Sequence, residues 1–347
     1  SNGLMQEFMK IKKLTTIQSC RKTAKYPSFK IVYEWEDILA KALGLKIKSD
    51  SEWRYKFYRR FENNSLVGLY NALLPKKNLH LDFVMTASTK KLCRINKNTI
   101  PVIIDFWLKE NELDSFIDAY KNVPLLLLTN LEVYELLKKH QCPIPIEHWP
   151  LSYPDQYAFT QDINYDKVYD FCLFGRPNPF FVRMQDEYAR KHPDFIYLVT
   201  TGTENNRKYY TNKGDFVCKD TGRASYLKMI RKTRISCYTT PGVDEGKKAP
   251  APFNQVTPRL FEMLCNGCQV IGHYPNTADV QWYNLQSIVP NVNNYEDFER
   301  TLDYMRKHPV NVNNIKRFMD NHYTSKRAEM LAEILEKHNI ALPNKNK

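Results

Sequence analysis

The sequence predicts an α/β protein of two domains, each a largely parallel sheet covered by helices on both faces. Three observations predict it. Strand and helix patterns alternate from about residue 165 onward, and a noisier alternation of the same kind precedes them. The length, 347 residues, exceeds one small domain and suits two of ordinary size. The expected boundaries are 4–160 for an N-terminal domain and 161–318 for a C-terminal one. Residues 319–347 are expected to form a helix returning toward the first domain and a disordered tail. Ser1-Asn2-Gly3 reads as the remnant of an expression tag.

In the first half, residues 35–43 read as a helix and 80–86 as a strand. Residues 101–105 are a clearer strand, followed by a helix over 112–120. Residues 124–128 are another, followed by a helix over 131–140, and 144–148 form the last strand of this domain. The polar stretch 153–167 joins the halves. In the second half, the strand 168–174 ends in a turn at Gly175, and Asn178 caps a helix that has Pro179 at its first position. Phe181, Met184 and Tyr188 recur there at helical spacing. A strand over 195–200 runs to Gly202, and a helix over 224–231 feeds a strand over 235–239 that stops at Pro241-Gly242. A loop rich in Lys, Ala and Pro reaches Phe253. Thr257 caps the next helix, with Pro258 at its start and Gly267 at its end. Strands over 268–272 and 287–290 follow, then a helix carrying Phe298, Leu302 and Met305. The last helix covers 325–338, before a disordered tail over 343–347. No internal repeat is visible. The alternation describes two Rossmann-like domains.

Hydrophobic residues make up 43% of the chain and aromatic residues 13%, ample for two cores and incompatible with wholesale disorder. No signal peptide is evident, and no apolar run approaches the roughly 20 residues that span a bilayer. A soluble or membrane-peripheral protein of the cytoplasm is expected. Lys and Arg total 51 against 38 Asp and Glu, a formal net charge of +13, which favours anionic partners or is simply a solvated basic surface. The eight cysteines are scattered. Cys265 and Cys268 form the one C-x-x-C, without the second pair that zinc requires, and reduced thiols are expected.

In open parallel sheets ligands bind beyond the carboxyl ends of the strands. That rule selects Gly175-Arg176, Thr201-Gly202, Thr239 with the turn after it, and the segment leading to Thr257. Glycine permits close backbone approach, while threonine hydroxyls and arginine suit an anion. The helix start at Thr257 adds amide donors and a positive dipole end, with Arg183 and Arg259 as nearby charges. Each feature alone is ordinary turn chemistry. Together they describe a diphosphate pocket. No G-x-G-x-x-G or G-x-x-x-x-G-K-[ST] pattern occurs, which argues against a dinucleotide enzyme or a P-loop NTPase. Glu262 interrupts the apolar run Leu260-Phe261-Glu262-Met263-Leu264 just over one turn into the helix. A carboxylate there either faces solvent or grips a ligand, and a ribose presents two adjacent hydroxyls to grip.

The string from Thr257 to Ile271, a capped helix with a central Glu followed by Gly and a short apolar strand, resembles the signature helix of the "group 1" glycosyltransferases of GT-B fold. Asp279-Val280 also fits that pattern. Leu173-Phe174-Gly175-Arg176 resembles the strand and turn that open the donor domain of that family, and residues 235–242 match the strand and loop before the signature helix. The likeness is close over residues 168–305 and architectural before them. It implies a GT-B protein whose two domains face a central cleft, with Glu262 on the nucleotide ribose. It also implies Arg176 and Arg183 at the diphosphate, beside the backbone from Gln255 to Arg259. Many retaining members carry a second Glu eight positions before the helix Glu. This chain has Asn254 there, so an amide stands where a carboxylate would contact the donor sugar.

In the first domain, Asp105 ends a strand where it is either a general base for an acceptor hydroxyl or a helix or turn cap before Phe106-Trp107. His148, at the end of its strand, is either a second catalytic candidate or a structural histidine. No Asp-x-Asp occurs, so a metal-dependent single-domain transferase is disfavoured. Arg and amide donors are expected to neutralise the leaving diphosphate, with no cofactor or metal. Residues 53–60, from Trp53 to Arg60, interleave aromatic and basic side chains. They suit an anionic bilayer or single-stranded nucleic acid, or a helix that buries Trp53 and Phe57. The combined expectation is a glycosyltransferase. It would move sugar from a nucleotide-diphosphate donor to a carbohydrate or lipid-linked acceptor in bacterial surface polysaccharide assembly, with no nucleic acid partner. A nucleotide-sugar epimerase of the same fold and a non-enzymatic basic nucleic-acid-binding protein are the alternatives.

Overall fold

The computed structural model describes residues 11–62, 66–160, 165–203, 206–246 and 251–343. The tag-like Ser1-Asn2-Gly3, residues 161–164 of the expected linker, 247–250 of the Lys/Ala/Pro loop and 344–347 of the expected tail lie outside them.

The chain divides into two units. The first runs to Asp155 and opens with strand β1 (Lys12–Ser19), helix α1 (Lys30–Leu43) and strand β2 (Lys46–Ser49). Helices α2 (Glu52–Phe61) and α3 (Leu66–Leu73) follow, then strands β3 (Leu79–Thr86) and β4 (Thr99–Asp105). Helix α4 (Leu113–Tyr120), strand β5 (Leu126–Leu128), helix α5 (Leu131–Lys139) and strand β6 (Ile146–His148) complete it. The second unit, Gln156–His322, contains strand β7 (Tyr169–Cys172), helix α6 (Pro179–Lys191) and strands β8 (Tyr197–Thr201), β9 (Lys208–Thr211) and β10 (Phe216–Lys219). Helix α7 (Arg223–Lys232), strand β11 (Thr233–Thr239), helix α8 (Pro258–Cys265) and strand β12 (Gln269–His273) come next. Helices α9 (Ala278–Trp282), α10 (Tyr295–Lys307) and α11 (Val312–Met319) end it. The chain then rejoins the first unit through helix α12 (Thr324–Lys337) and strand β13 (Ile340–Ala341).

The sheet of the first unit is wholly parallel, in the order β13-β1-β3-β4-β5-β6. One edge of β1 is shared: β13 pairs Lys12 and Lys13, while β2 pairs Thr16 through Ser19. The central strand β4 is buried over Thr99–Ile104, as a strand covered on both faces must be. Leu331 and Leu335 of α12 pack with Trp35 and Leu39 of α1 and with Trp149 in one core. Arg327 reaches under them, donating from Nε to the Pro150 carbonyl at 2.9 Å.

The second sheet runs β10-β9-β8-β7-β11-β12. Strands β8, β7, β11 and β12 are parallel. The outer hairpin β9–β10 is antiparallel and was not expected, although Asn212-Lys213-Gly214 with Gly214 at φ 94° is suitable turn chemistry for one. The expected fifth strand over 287–290 does not form. Residues 285–287 are a 3-10 turn, and only a single bridge joins Gly272 to Asn291. Pro290 has no amide hydrogen, so a parallel ladder cannot continue through it; its carbonyl accepts from Gly272 at 2.8 Å instead. The core beneath α6 and α10 includes Phe171, Phe181, Tyr188, Phe298 and Leu302.

Residues 53–60 are helical as one expectation had it, but the helix does not bury Trp53 and Phe57, which are 74% and 42% exposed. No residue of α2 is buried. Hydrophobic spacing gave the helix, whereas its burial depends on what packs over it.

Candidate functional site

At the carboxyl edge of the second sheet, β7 leads into Gly175, held at φ 76°. That left-handed backbone favours glycine, and so does the space: a Cβ built there would lie 2.7 Å from the Cζ of Arg259. The guanidinium of Arg259, from the first turn of α8, therefore lies directly across the Gly175 turn. Among the described residues no carboxylate comes within ion-pair distance of it.

Two hydrogen-bonded anchors aim the start of α8. Tyr238, buried at the end of β11, accepts from the Thr257 amide at 2.8 Å, and its hydroxyl lies 3.2 Å from Thr257 Oγ1. Asp279 is fully buried and accepts from the Val256 amide at 2.7 Å. Burial drives the Tyr238 hydroxyl up to about 12, so it stays protonated. Thr257 occupies the position before the helix, but its side chain makes no capping bond to the helix amides, contrary to expectation, because Tyr238 engages it. Gln255, on the same segment, is buried.

Asn254 is built into the turn after β11. Its Oδ1 accepts from Thr240 Oγ1 at 2.8 Å, and a Cβ at Gly242 would sit 2.4 Å from that oxygen. Thr240, buried beside the expected Thr239, thus makes this contact. Arg176 is paired with Asp244, and Arg183 with Glu245 at 2.9 Å. Both arginines expected at a diphosphate are therefore tied to carboxylates of one loop, partners that sequence reasoning did not identify. Asn178 joins the same loop, capping α6 through Phe180 and donating to the Val243 carbonyl at 3.2 Å.

Glu262 does not face solvent. Its side chain is 13% exposed, and Oε2 lies 3.7 Å from Nη2 of Arg223 at the start of α7. Arg223 in turn stacks over the Tyr157 ring at 5.1 Å. Tyr226, one turn into α7, is close enough for the Glu262 charge to act on it, although burial is the larger cause of its raised pKa. Arg223 opens a basic helix and carries no signal that would single it out in sequence. At the end of β8, Thr201 is exposed and pairs with Lys208, and Gly202 at φ 87° has the Asn206 carbonyl packed where a Cβ would be. Gly202 is accounted for by the turn into the β9–β10 hairpin.

In the first unit, Asp105 is the last residue of β4, in register with Thr86. It does not cap a helix: the next one starts at Leu113, after a 3-10 turn. His148 ends β6 opposite Leu128. Asp105 and His148 thus stand toward the same sheet edge with β5 between them. His148 is level with Ile103, two residues short of Asp105, so they are about 12 Å apart by strand spacing and rise. Burial, with Arg327 nearby, pushes His148 down to about 4, so the ring is neutral near pH 7. On the same unit a cavity of about 200 Å³ opens between Cys20, Tyr26, Phe29, Tyr55, Met85 and Arg94. Beside it lie two ion pairs with buried carboxylates and half-buried arginines, Asp82–Arg94 and Glu36–Arg21, the latter at 3.0 Å. Cys265 and Cys268 are buried free thiols. Among the described residues no group of three His, Cys, Asp or Glu side chains is placed to hold a metal ion, and no helix is long and apolar enough to cross a membrane.

No protein-family model matches the chain, and no curated protein sequence matches it. Solved structures do. A sucrose-phosphate synthase from Thermosynechococcus elongatus aligns over 94% of this chain and 99% of its own, with TM-score 0.57 and 9% identity. The N-terminal domain of Candida albicans trehalose-6-phosphate phosphatase aligns over 94% and 97%, with TM-score 0.56 and 9% identity. A GtfA/B complex aligns over 79% of this chain at TM-score 0.50 and 10% identity, and the chain spans only 60% of that protein's length. At such identities the likeness is one of fold: two Rossmann-like units of the GT-B glycosyltransferase type.

Proposed function

We propose that this GT-B protein is a glycosyltransferase that moves a sugar from a nucleotide-diphosphate donor to a carbohydrate or lipid-linked acceptor. The observation that carries the reading is the Arg259 guanidinium lying across Gly175 at the first turn of α8. A backbone that approaches closely, a cation without a carboxylate partner among the described residues and a positive helix end suit a diphosphate. Glu262, one turn on and shielded from water, is the proposed ribose ligand, with its carboxylate held beside Arg223. Arg259 and the backbone around Gln255 and Thr257 stabilise the leaving diphosphate without a metal. Arg176 and Arg183 join it only by exchanging Asp244 and Glu245 for phosphate oxygens. Asp105 is proposed as the base for the acceptor hydroxyl, because a neutral His148 with a pKa near 4 is a weak one at pH 7.

The setting proposed is bacterial surface polysaccharide assembly at the cytoplasmic face of the membrane. The basic balance of the chain and the exposed Trp53–Arg60 segment support it. The test is a thermal-shift screen of UDP-, GDP-, CMP- and dTDP-sugars on the wild type and on Arg259→Ala. One class of donor should raise the melting temperature of the wild type and act far less on the variant. If no donor shifts the wild type, the reading fails.

A further inference from the structure

Helix α3 is inverted relative to an ordinary surface helix. Its exposed positions are Leu66, Gly68, Leu69, Ala72 and Leu73, without one polar side chain, while Val67 and Asn71 point inward and are buried. Leu66, Leu69 and Leu73 are 51%, 57% and 74% exposed at helical spacing on one face. Helix α2 lies against α3 through Tyr58 and Tyr70, whose rings are 6.4 Å apart. It contributes a second apolar row: Trp53 stacks on Phe57 at 5.6 Å, and Phe57 meets Phe61 at 4.8 Å. Soluble proteins rarely expose large apolar patches unless something covers them, and two neighbouring helices here each expose an apolar row.

The charges around this patch indicate what covers it. Helix α2 carries Arg54, Lys56, Arg59 and Arg60 against Glu52 alone, and exposed Lys76 and Lys77 follow α3. Arg54 lies 3.9 Å from Asp50, and Lys56, Arg59 and Arg60 are exposed. A second copy of this chain would bring the same cations face to face, so self-association on this surface is opposed by charge. Leucines for the acyl boundary, aromatic rings for the headgroup level and basic side chains for the phosphates are the complement of an anionic bilayer.

We infer that α2 and α3 together form an interfacial anchor that lays the first unit on an anionic lipid surface, with Leu66, Leu69 and Leu73 entering the acyl boundary. The anchor rests on the proposed lipid-linked acceptor for its purpose, whereas lipid binding itself requires no donor. Tyr55 of α2 also lines the 200 Å³ cavity, so the anchor borders an opening at the ends of β1 and β3.

The experiment is co-sedimentation of the full chain with vesicles of phosphatidylcholine alone and of phosphatidylcholine mixed with phosphatidylglycerol. The wild type should bind the mixed vesicles, ignore the neutral ones and release as ionic strength rises. Leu69→Ser/Leu73→Ser should weaken partitioning at least about tenfold, since two exposed leucines lose their apolar burial. Lys56→Ser/Arg59→Ser/Arg60→Ser should weaken it comparably and reduce the salt dependence. All the substituted positions lie on the surface, so melting temperatures and nucleotide-sugar shifts should match the wild type. That control separates failure of the anchor from failure of the donor reading. Wild-type protein that ignores anionic vesicles, or a leucine variant that binds them as the wild type does, overturns the anchor. So does a wild-type dimer, without lipid, that the leucine substitutions dissociate.

Discussion

Arg223 and Glu262 stand 39 positions apart in the chain, yet the guanidinium of one lies 3.7 Å from the carboxylate of the other, away from bulk water. The pair turns an isolated acid in an apolar helix into an oriented one.

Glu262→Gln should therefore weaken donor binding about ten- to a hundredfold, because a hydrogen bond to a charged acceptor is worth roughly 1.5–3 kcal/mol. Titration calorimetry with the donor found by thermal shift measures it. An unchanged affinity in a folded variant would remove Glu262 from the site.

Gly175→Ala tests the turn itself. The left-handed backbone costs a non-glycine residue about 1–2 kcal/mol, and the new methyl group must push the Arg259 guanidinium aside. Urea denaturation should show that loss of stability, and donor affinity should fall further than stability alone accounts for. A variant that loses stability but binds donor normally would place Arg259 outside the anion site.

Turnover should survive EDTA, because Arg259 and backbone amides are the proposed partners of the leaving diphosphate. Loss of activity on chelation, restored by Mg²⁺ or Mn²⁺, would overturn that account.

A buried carboxyl and a half-buried imidazole of the first unit should act on stability with opposite sign. Burial raises the Glu36 carboxyl from 4.5 to about 6, against the hydrogen bonds from Ser19 and Arg21. Its contribution is full below about pH 4.5 and is lost as pH rises through 6. His148 is lowered from 6.5 to about 4, so its contribution is present above pH 6.5 and is lost as pH falls through 4. The wild-type profile mixes the two. Between pH 4.5 and 6.5, Glu36→Gln should gain about 2 kcal/mol relative to the wild type, measured by urea denaturation at each pH. A constant difference across that range would mean that Glu36 titrates normally.

The parts of this fold that could be read in the sequence are those where local pattern and burial coincide. The apolar run Pro101–Ile104 could be little else than a central strand, and Asn178-Pro179 marks a helix start by its own chemistry. Strand β1 was not recognised, because in Lys12–Ser19 only Leu14 and Ile17 are bulky and apolar, and Thr16 and Ser19 share the burial. The candidate site divides along the same line. Gly175, Thr257, Arg259 and Glu262 belong to one turn and one helix start, features that short-range spacing carries, although the expected cap at Thr257 does not form. The pairing of Arg176 with Asp244 spans 68 positions and that of Arg223 with Glu262 spans 39, and no local pattern encodes either. Helix α2 shows the converse: its pattern left open whether Trp53 and Phe57 face inward, and the fold leaves them outside.

The return of the chain through α12 and β13 has a consequence for biosynthesis. The second unit is one unbroken segment and is complete once residue 322 has been made. The first unit, although it leaves the ribosome earlier, lacks an edge partner for Lys12 and Lys13 and a wall of its core until residues 324–341 have followed. A nascent chain should therefore acquire protease resistance in the later-made unit first, reversing the N-to-C order in which domains usually mature during translation.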